Sequence, residues 1–300
     1  MPVSAGLEKR HDPRGKAELL LLGISIIWGA SFVVVKGALA HASPLVFIAI
    51  RFVLAGLVCA AVLRVAPRRL DRDTLRAGCI LGLFLLGGYV LQVNGLLYTS
   101  PSKSAFITAF SVILVPFIAA LGGIQLRPVN VVAAAAGVAG LYVLLAPSRL
   151  GSVNRGDLLT LGASISFGCY IVWVGRYAGR FDFRELVTIQ VLVVGLAAAI
   201  AMPLDRHPRL NWTPTFTLAV FITTLLATAL AFSVQNWAQR YTPPAHTALI
   251  LSSEPVFTAL TSRWITGERM GVRLIAGAAL MLVGVLVSEF WGGRPAAIES

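Results

Sequence analysis

The sequence predicts an all-α membrane protein, with ten transmembrane helices set out as two five-helix repeats of inverted orientation. Three observations lead there. The composition is too apolar for a water-soluble domain: 57% of residues are hydrophobic and 13% charged, with a mean hydropathy of +0.81, whereas soluble domains carry about 25% charged residues. Ten apolar runs, each near the roughly 20 residues that a helix needs to cross hydrocarbon, fill almost all of the 300-residue chain. The chain also resembles itself at an offset of 139 residues.

The runs are Ala17–Leu39, Pro44–Val65, Leu75–Leu97, Ser104–Ile124, Val129–Ala146, Gly156–Ala178, Arg184–Leu204, Phe216–Ala238, Thr247–Ile265 and Val272–Phe290. Short connections rich in Pro, Gly or charge separate them, as at Ala66-Pro67-Arg68-Arg69, Pro147-Ser148-Arg149 and Tyr241-Thr242-Pro243-Pro244. Residues 1–16 then form an N-terminal tail, 17–147 the first repeat, 156–291 the second and 292–300 a C-terminal tail. Ala40-His41-Ala42 after the first run mimics a signal-peptide cleavage site, but the run is too long for a signal peptide and the repeat requires it.

With both termini in the cytoplasm, the cytoplasmic segments hold 15 Lys and Arg against nine on the other side, as the positive-inside rule asks. The bias is strong in the first half and weak in the second, where Arg263, Arg269 and Arg273 oppose it. The formal charge of +12 therefore sets topology. It forms no basic stripe with interleaved aromatics, and no nucleic-acid partner is expected.

At the 139-residue offset, Glu18–Lys36 lies on Asp157–Gly175 with nine identities in nineteen positions, and Gly56-Leu57 falls on Gly195-Leu196. At offset 143, Gln92 falls on Gln235 and Tyr98-Thr99 on Tyr241-Thr242. An odd number of spans per unit means that the second unit starts on the opposite side of the membrane. Inverted repeats around a midplane site recur in secondary transporters, because two such halves can exchange conformations. A small-molecule substrate and the lipid bilayer are the expected partners.

Polar side chains in lipid are costly, so helical stripes of them should face protein or water. The expected cavity lining is Trp28 and Ser31 of the first helix, Tyr89 and Gln92 of the third, and Ser104, Thr108 and Ser111 of the fourth. The second half adds Ser166, Tyr170 and Trp173 of the sixth, Thr228 and Gln235 of the eighth, and Thr247 and Glu254 of the ninth. Any one Ser or Thr could instead bond back to its own helix. The fifth and tenth helices have no polar face; their Ala and Gly, such as Ala133, Gly137, Gly277 and Gly284, suit close packing or a homodimer contact.

Two ionisable residues lie well inside spans, Arg51 and Glu254. A carboxyl at that depth must be paired or protonated, and Glu254 is the expected proton carrier if transport is proton-coupled. A structural hydrogen bond beside Pro255 is the plainer alternative. Arg51, whose repeat partner is Gln190, could snorkel or bind an anion; Lys36 at a helix end should snorkel. Trp237 reads as an interfacial residue.

No cofactor, metal or catalysis is expected. Cys59, Cys79 and Cys169 sit singly in apolar runs, and His11, His41, His207 and His246 form neither HExxH nor any other ligand pattern. There is no GxSxG.

The chain resembles the EamA-type drug/metabolite transporter family. The residues that carry the resemblance are Trp28-Gly29-Ala30-Ser31-Phe32 through Lys36, Ile50-Arg51-Phe52, Gly95-Leu96-Leu97-Tyr98-Thr99-Ser100, Tyr241-Thr242, Glu254-Pro255-Val256-Phe257-Thr258-Ala259-Leu260 and Gly267-Glu268-Arg269. Ile124-Gln125-Leu126-Arg127-Pro128 departs from the family's acidic turn in the first half. The resemblance implies a bacterial inner-membrane carrier driven by protons or another gradient, usually an exporter of amino acids, other small metabolites or drugs. An uncoupled facilitator or channel, or a non-transporting sensor, are the alternatives.

Overall fold

A computed structural model describes residues 13–65, 70–123, 125–126, 128–145, 153–205, 208–269 and 271–292. Both outer tails, to residue 12 and from residue 293, lie outside these, as do residues 66–69 and 146–152 and the basic residues Arg127 and Arg206. The described chain is nearly all helix: α1 Pro13–Ala38, α2 Pro44–Val62, α3 Arg72–Leu96, α4 Pro101–Ala120, α5 Pro128–Leu145, α6 Arg155–Tyr177, α7 Phe183–Ala201, α8 Pro214–Thr224, α9 Ala231–Ala238, α10 Pro244–Leu251, α11 Glu254–Thr266 and α12 Val272–Gly292.

The helix starts follow local chemistry. Proline, which has no N–H to lose, opens α2, α4, α8 and α10 at the first turn. Asn154 and Asp157 form a reciprocal capping box at the head of α6. Asp71 caps α3 by accepting from the Thr74 backbone N–H, which holds its carboxyl below the usual carboxylate range.

Among the described residues, seven helical segments are long and apolar enough to cross a membrane: α1 to α4, α6, Phe183–Leu204 and Pro214–Ala238. The apolar stretches Pro128–Val143 of α5 and Val272–Gly284 of α12 are shorter. The ninth predicted run departs most from expectation. It is not one helix but two, α10 and α11, parted at Ser252-Ser253. Pro255 cannot donate a backbone hydrogen bond and crowds the preceding turn; Ser252 and Ser253 donate instead to the Leu249 and Ile250 carbonyls. The eighth run is continuous but carries one π-helical segment, Leu225–Leu230, between α8 and α9.

Side-chain and backbone contacts show which helix ends share a face. On one face, Glu18 of α1 meets His246 of α10 at 2.9 Å, Lys16 lies over the Trp237 ring, and Arg176 of α6 donates to the Gly122 carbonyl after α4. On the other face, Lys36 at the end of α1 donates to the Leu96 and Thr99 carbonyls at the end of α3. Asp157 of α6 pairs there with Lys103 of α4 at 2.7 Å, and Ser43 bonds to Arg209 ahead of α8. Thus α6 begins where α1 ends.

Packing repeats in the same way. α1 lies along α11 and α9, while α6 lies along α4 and α3; α2 crosses α7, and α5 packs on α12. The α2–α7 crossing is close because Gly56 abuts Leu192 and Gly195 abuts the Val53 backbone, the pair that the repeat aligns. Gly284 of α12 meets the Ala133 carbonyl of α5, so the small residues of these two helices serve a contact within the chain. Large apolar side chains such as Leu19, Leu57, Leu83, Leu158, Ile200, Phe221 and Trp264 lie exposed, the surface expected of a protein whose solvent is lipid.

Gly29 tests this packing. A Cβ there would stand 2.7 Å from the Glu254 carbonyl and 2.6 Å from the Phe257 Cβ, whereas at Gly23 it would meet nothing within 4 Å. Gly29→Ala should cost about 1–3 kcal/mol by overpacking and lower the thermal unfolding midpoint in detergent; Gly23→Ala should not lower it.

Candidate functional site

The sequence similarity of the two halves finds its counterpart in a cavity that both halves line. Its wall combines Trp28, Ser31, Phe32 and Val35 of α1, Arg51 of α2, Tyr89, Gln92, Val93 and Leu96 of α3, and Ala105, Thr108, Ala109, Ser111 and Val112 of α4. The second half adds Phe167, Tyr170 and Ile171 of α6, Phe232 and Gln235 of α9, and Leu251, Glu254 and Pro255 at the break between α10 and α11. The space open to the centre of a water-sized body is about 80 Å³, room for several waters.

Nine of the expected lining residues meet there: Trp28, Ser31, Tyr89, Gln92, Thr108, Ser111, Tyr170, Gln235 and Glu254. Five others are engaged beside it. Ser104 pairs with Thr160, Thr247 with Thr242, and Ser166 packs against Gly87. Trp173 stacks on Phe84 beneath the Arg176 guanidinium. Thr228 sits behind the wall, where its hydroxyl accepts from Arg51 Nε at 2.7 Å. Back-bonding within a helix also occurs, since Ser31 donates to the Trp28 carbonyl and Thr258 to that of Glu254. Sequence patterning alone missed the apolar half of the wall, because Phe32, Val93, Phe167 and Phe232 read like ordinary core residues.

The π-helical turn organises the polar end. A π turn places each amide one residue further along than an α-turn does; the Thr228 hydroxyl accordingly donates to the Thr223 carbonyl, five residues back, at 2.8 Å. The Ala227 carbonyl accepts from Trp28 Nε1 at 2.8 Å and from Arg51 Nη2 at 3.3 Å. The Tyr89 hydroxyl stands 3.4 Å from the same Nη2. The guanidinium also lies over the Phe52 and Tyr89 rings, at 5.1 and 4.9 Å, an arrangement that favours a cation. Arg51 does not snorkel; it is 1% exposed.

No ion pair joins Arg51 or Glu254 to another described residue. The Gln92 amide donates to Thr108 at 3.1 Å, while Gln235 Oε1 is buried without a hydrogen-bond partner. On the face where α1 ends, the cavity abuts a polar cluster. Leu96 lines the wall and its carbonyl takes Lys36. Asp157, fully buried, accepts from Thr99 at 2.8 Å and from Lys103 at 2.7 Å. Lys36 and Lys103, both at helix ends on this face, thus turn inward to bind the ends of other helices. Nearby, the left-handed Gly267 (φ 68) ends α11, and Glu268 accepts from Ser102 and Ser262. Among the described residues no group of His, Cys, Asp and Glu could hold a metal ion.

The family model described as EamA-like transporter family matches residues 15–146 and again 154–290. The chain belongs to that family. Its two halves are two copies of the EamA repeat. An "Uncharacterized transporter" of Archaeoglobus fulgidus is 32% identical over 90% of this chain and 85% of its own length. The "Uncharacterized transporter YvbV" of Bacillus subtilis is 25% identical over 91% of both chains. The "Uncharacterized inner membrane transporter YedA" of Escherichia coli K12 is 27% identical over 89% of both. A protein of known crystal structure, 21% identical, superposes with a TM-score of 0.71 over 95% of this chain and 100% of the other, and so shares the fold. The EamA chain described here is accordingly a multi-pass membrane protein of a transporter family.

Thr228 should be the most sensitive polar residue behind the wall. Thr228→Val leaves Arg51 Nε buried without an acceptor, at a cost of about 1–3 kcal/mol. The thermal midpoint should fall further for Thr228→Val than for Thr228→Ser, which keeps the hydroxyl.

Proposed function

We propose that this EamA chain is a secondary transporter that exports a small metabolite by alternating access, with Glu254 carrying a coupled proton. The observation that supports it most directly is the cavity shared by the two repeats, with Glu254 on its wall where the ninth span breaks. Discontinuous helices at mid-depth are where such carriers place substrate and coupling ions. A carboxyl at that depth with no cationic partner is suited to taking up and releasing a proton.

The membrane arrangement is part of the same reading. Seven long apolar helices, the shorter α5 and α12 and the broken α10–α11 pair add up to ten crossings. Five crossings per repeat invert the second repeat relative to the first, in keeping with α6 beginning on the face where α1 ends. The face carrying Arg14, Lys16, Arg64, Arg72, Arg76, Arg180 and Arg240 is then cytoplasmic. Both termini lie on that side, in a cell's inner membrane.

Reconstituted in proteoliposomes, the protein should give saturable uptake of one or more members of a labelled amino-acid and metabolite panel, accelerated by an imposed pH gradient. Glu254→Gln should retain exchange of internal for external solute and lose the response to the gradient. Flux that does not saturate and ignores the gradient in the unaltered protein would establish an uncoupled facilitator instead.

A further inference from the structure

We infer that the cavity selects solutes bearing a single carboxylate on a flat apolar body, and that Arg51 is the residue that reads the charge. The inference rests on the transporter reading of the same cavity and adds the class of solute.

The starting point is a charge that cannot be shed. A guanidinium stays protonated in proteins, so Arg51 remains cationic at mid-depth, where an uncompensated charge is costly. Its neighbours stabilise it with neutral groups alone: the Thr228 hydroxyl on Nε, the Ala227 carbonyl and Tyr89 hydroxyl on Nη2, and two ring faces. Glu254, the carboxyl on the same wall, is not paired with it. The contacts hold one edge of the planar fork, while Nη1 has no hydrogen-bond partner among the described residues. Arg51 itself lines the cavity. A planar carboxylate accepts from Nη1 and, in place of the long 3.4 Å contact with the Tyr89 hydroxyl, from Nη2, the paired N–H···O geometry that such a fork binds best.

The rest of the wall describes the remainder of the solute. Trp28, Phe32, Phe167 and Phe232 offer flat apolar surface, and Gln235 Oε1 offers one unpartnered acceptor to a hydroxyl or N–H on the solute. One cation matches one negative charge. A phosphate monoester brings nearly two, and an amine would meet Arg51 as a like charge.

The test uses the purified full chain in detergent and measures binding of benzoate and indole-3-acetate against benzamide, benzylamine and phenyl phosphate by calorimetry. The two carboxylates should bind about tenfold or more tightly than the others, the factor that a charge-assisted hydrogen bond supplies. Arg51→Gln should abolish the preference, so that benzoate and benzamide bind alike. Arg51→Lys, which keeps the charge and loses the fork, should retain part of it and serves as the folding control. Benzamide, benzylamine or phenyl phosphate binding as tightly as the carboxylates, no binding of either carboxylate, or a preference that survives Arg51→Gln would each overturn the inference. Carboxylate binding without flux in vesicles would remove the transporter reading and leave the selectivity standing; flux of an amine by a protein that ignores carboxylates would do the reverse.

Discussion

The site depends on the solvation of one guanidinium that is buried in the protein, 1% exposed, on the wall of the cavity. Hydrocarbon offers no acceptor, so the protein must supply those that Nε and Nη2 take. It does so with a π turn. The segment Leu225–Leu230 sets the Ala227 carbonyl where Trp28 of the first repeat and Arg51 of the neighbouring helix can both donate to it, and its Thr228 hydroxyl takes Nε. Three elements from both repeats are tied at this point. Tyr89 and Phe52 complete the cation's surroundings, and Tyr89 also lines the cavity beside Arg51.

Two kinds of irregular backbone therefore meet at mid-depth, the π turn in one span and the Ser252-Ser253 break in another. Both are tolerable because their carbonyls find donors within the protein. The Ala227 carbonyl goes to Arg51 and Trp28 in the first case, and in the second the serine hydroxyls join the backbone N–H donors on the Leu249 and Ile250 carbonyls. The close approach at Gly29 then seats α1 against the first turn of α11, so Trp28 and Glu254, on either side of that contact, are held in one wall. At the far face the charges are treated differently. Asp157 is buried but has three donors, Thr99, Lys103 and the Asn154 N–H, a satisfied cluster that closes helix ends together.

Much of this was legible in the residues. Run lengths, the Gly56–Gly195 correspondence and the polar stripes located most helices, the repeat and nine of the wall's side chains. The rest was hidden for physical reasons. Leu225–Leu230 contains neither Pro nor Gly, so nothing in its composition announces a π turn. A stripe of hydroxyls at helical spacing spans more than one neighbour, which is why Thr108 and Ser111 reach the cavity while Ser104 turns to Thr160. Lys103 and Asp157 lie 54 positions apart, and no local pattern joins them. Phe167 and Phe232 have the chemistry of any core phenylalanine, and only the backbone shows that they border open space.

Alternating access requires that this one cavity communicate with both sides of the membrane in turn. Accessibility of a single cysteine tests it most directly: Ser111→Cys on the α4 wall, with Cys59, Cys79 and Cys169 replaced by Ala, treated with a membrane-impermeant thiol reagent in right-side-out and in inverted vesicles. Labelling in both preparations is the predicted result. Protection in either one, with the protein folded and inserted, would contradict it.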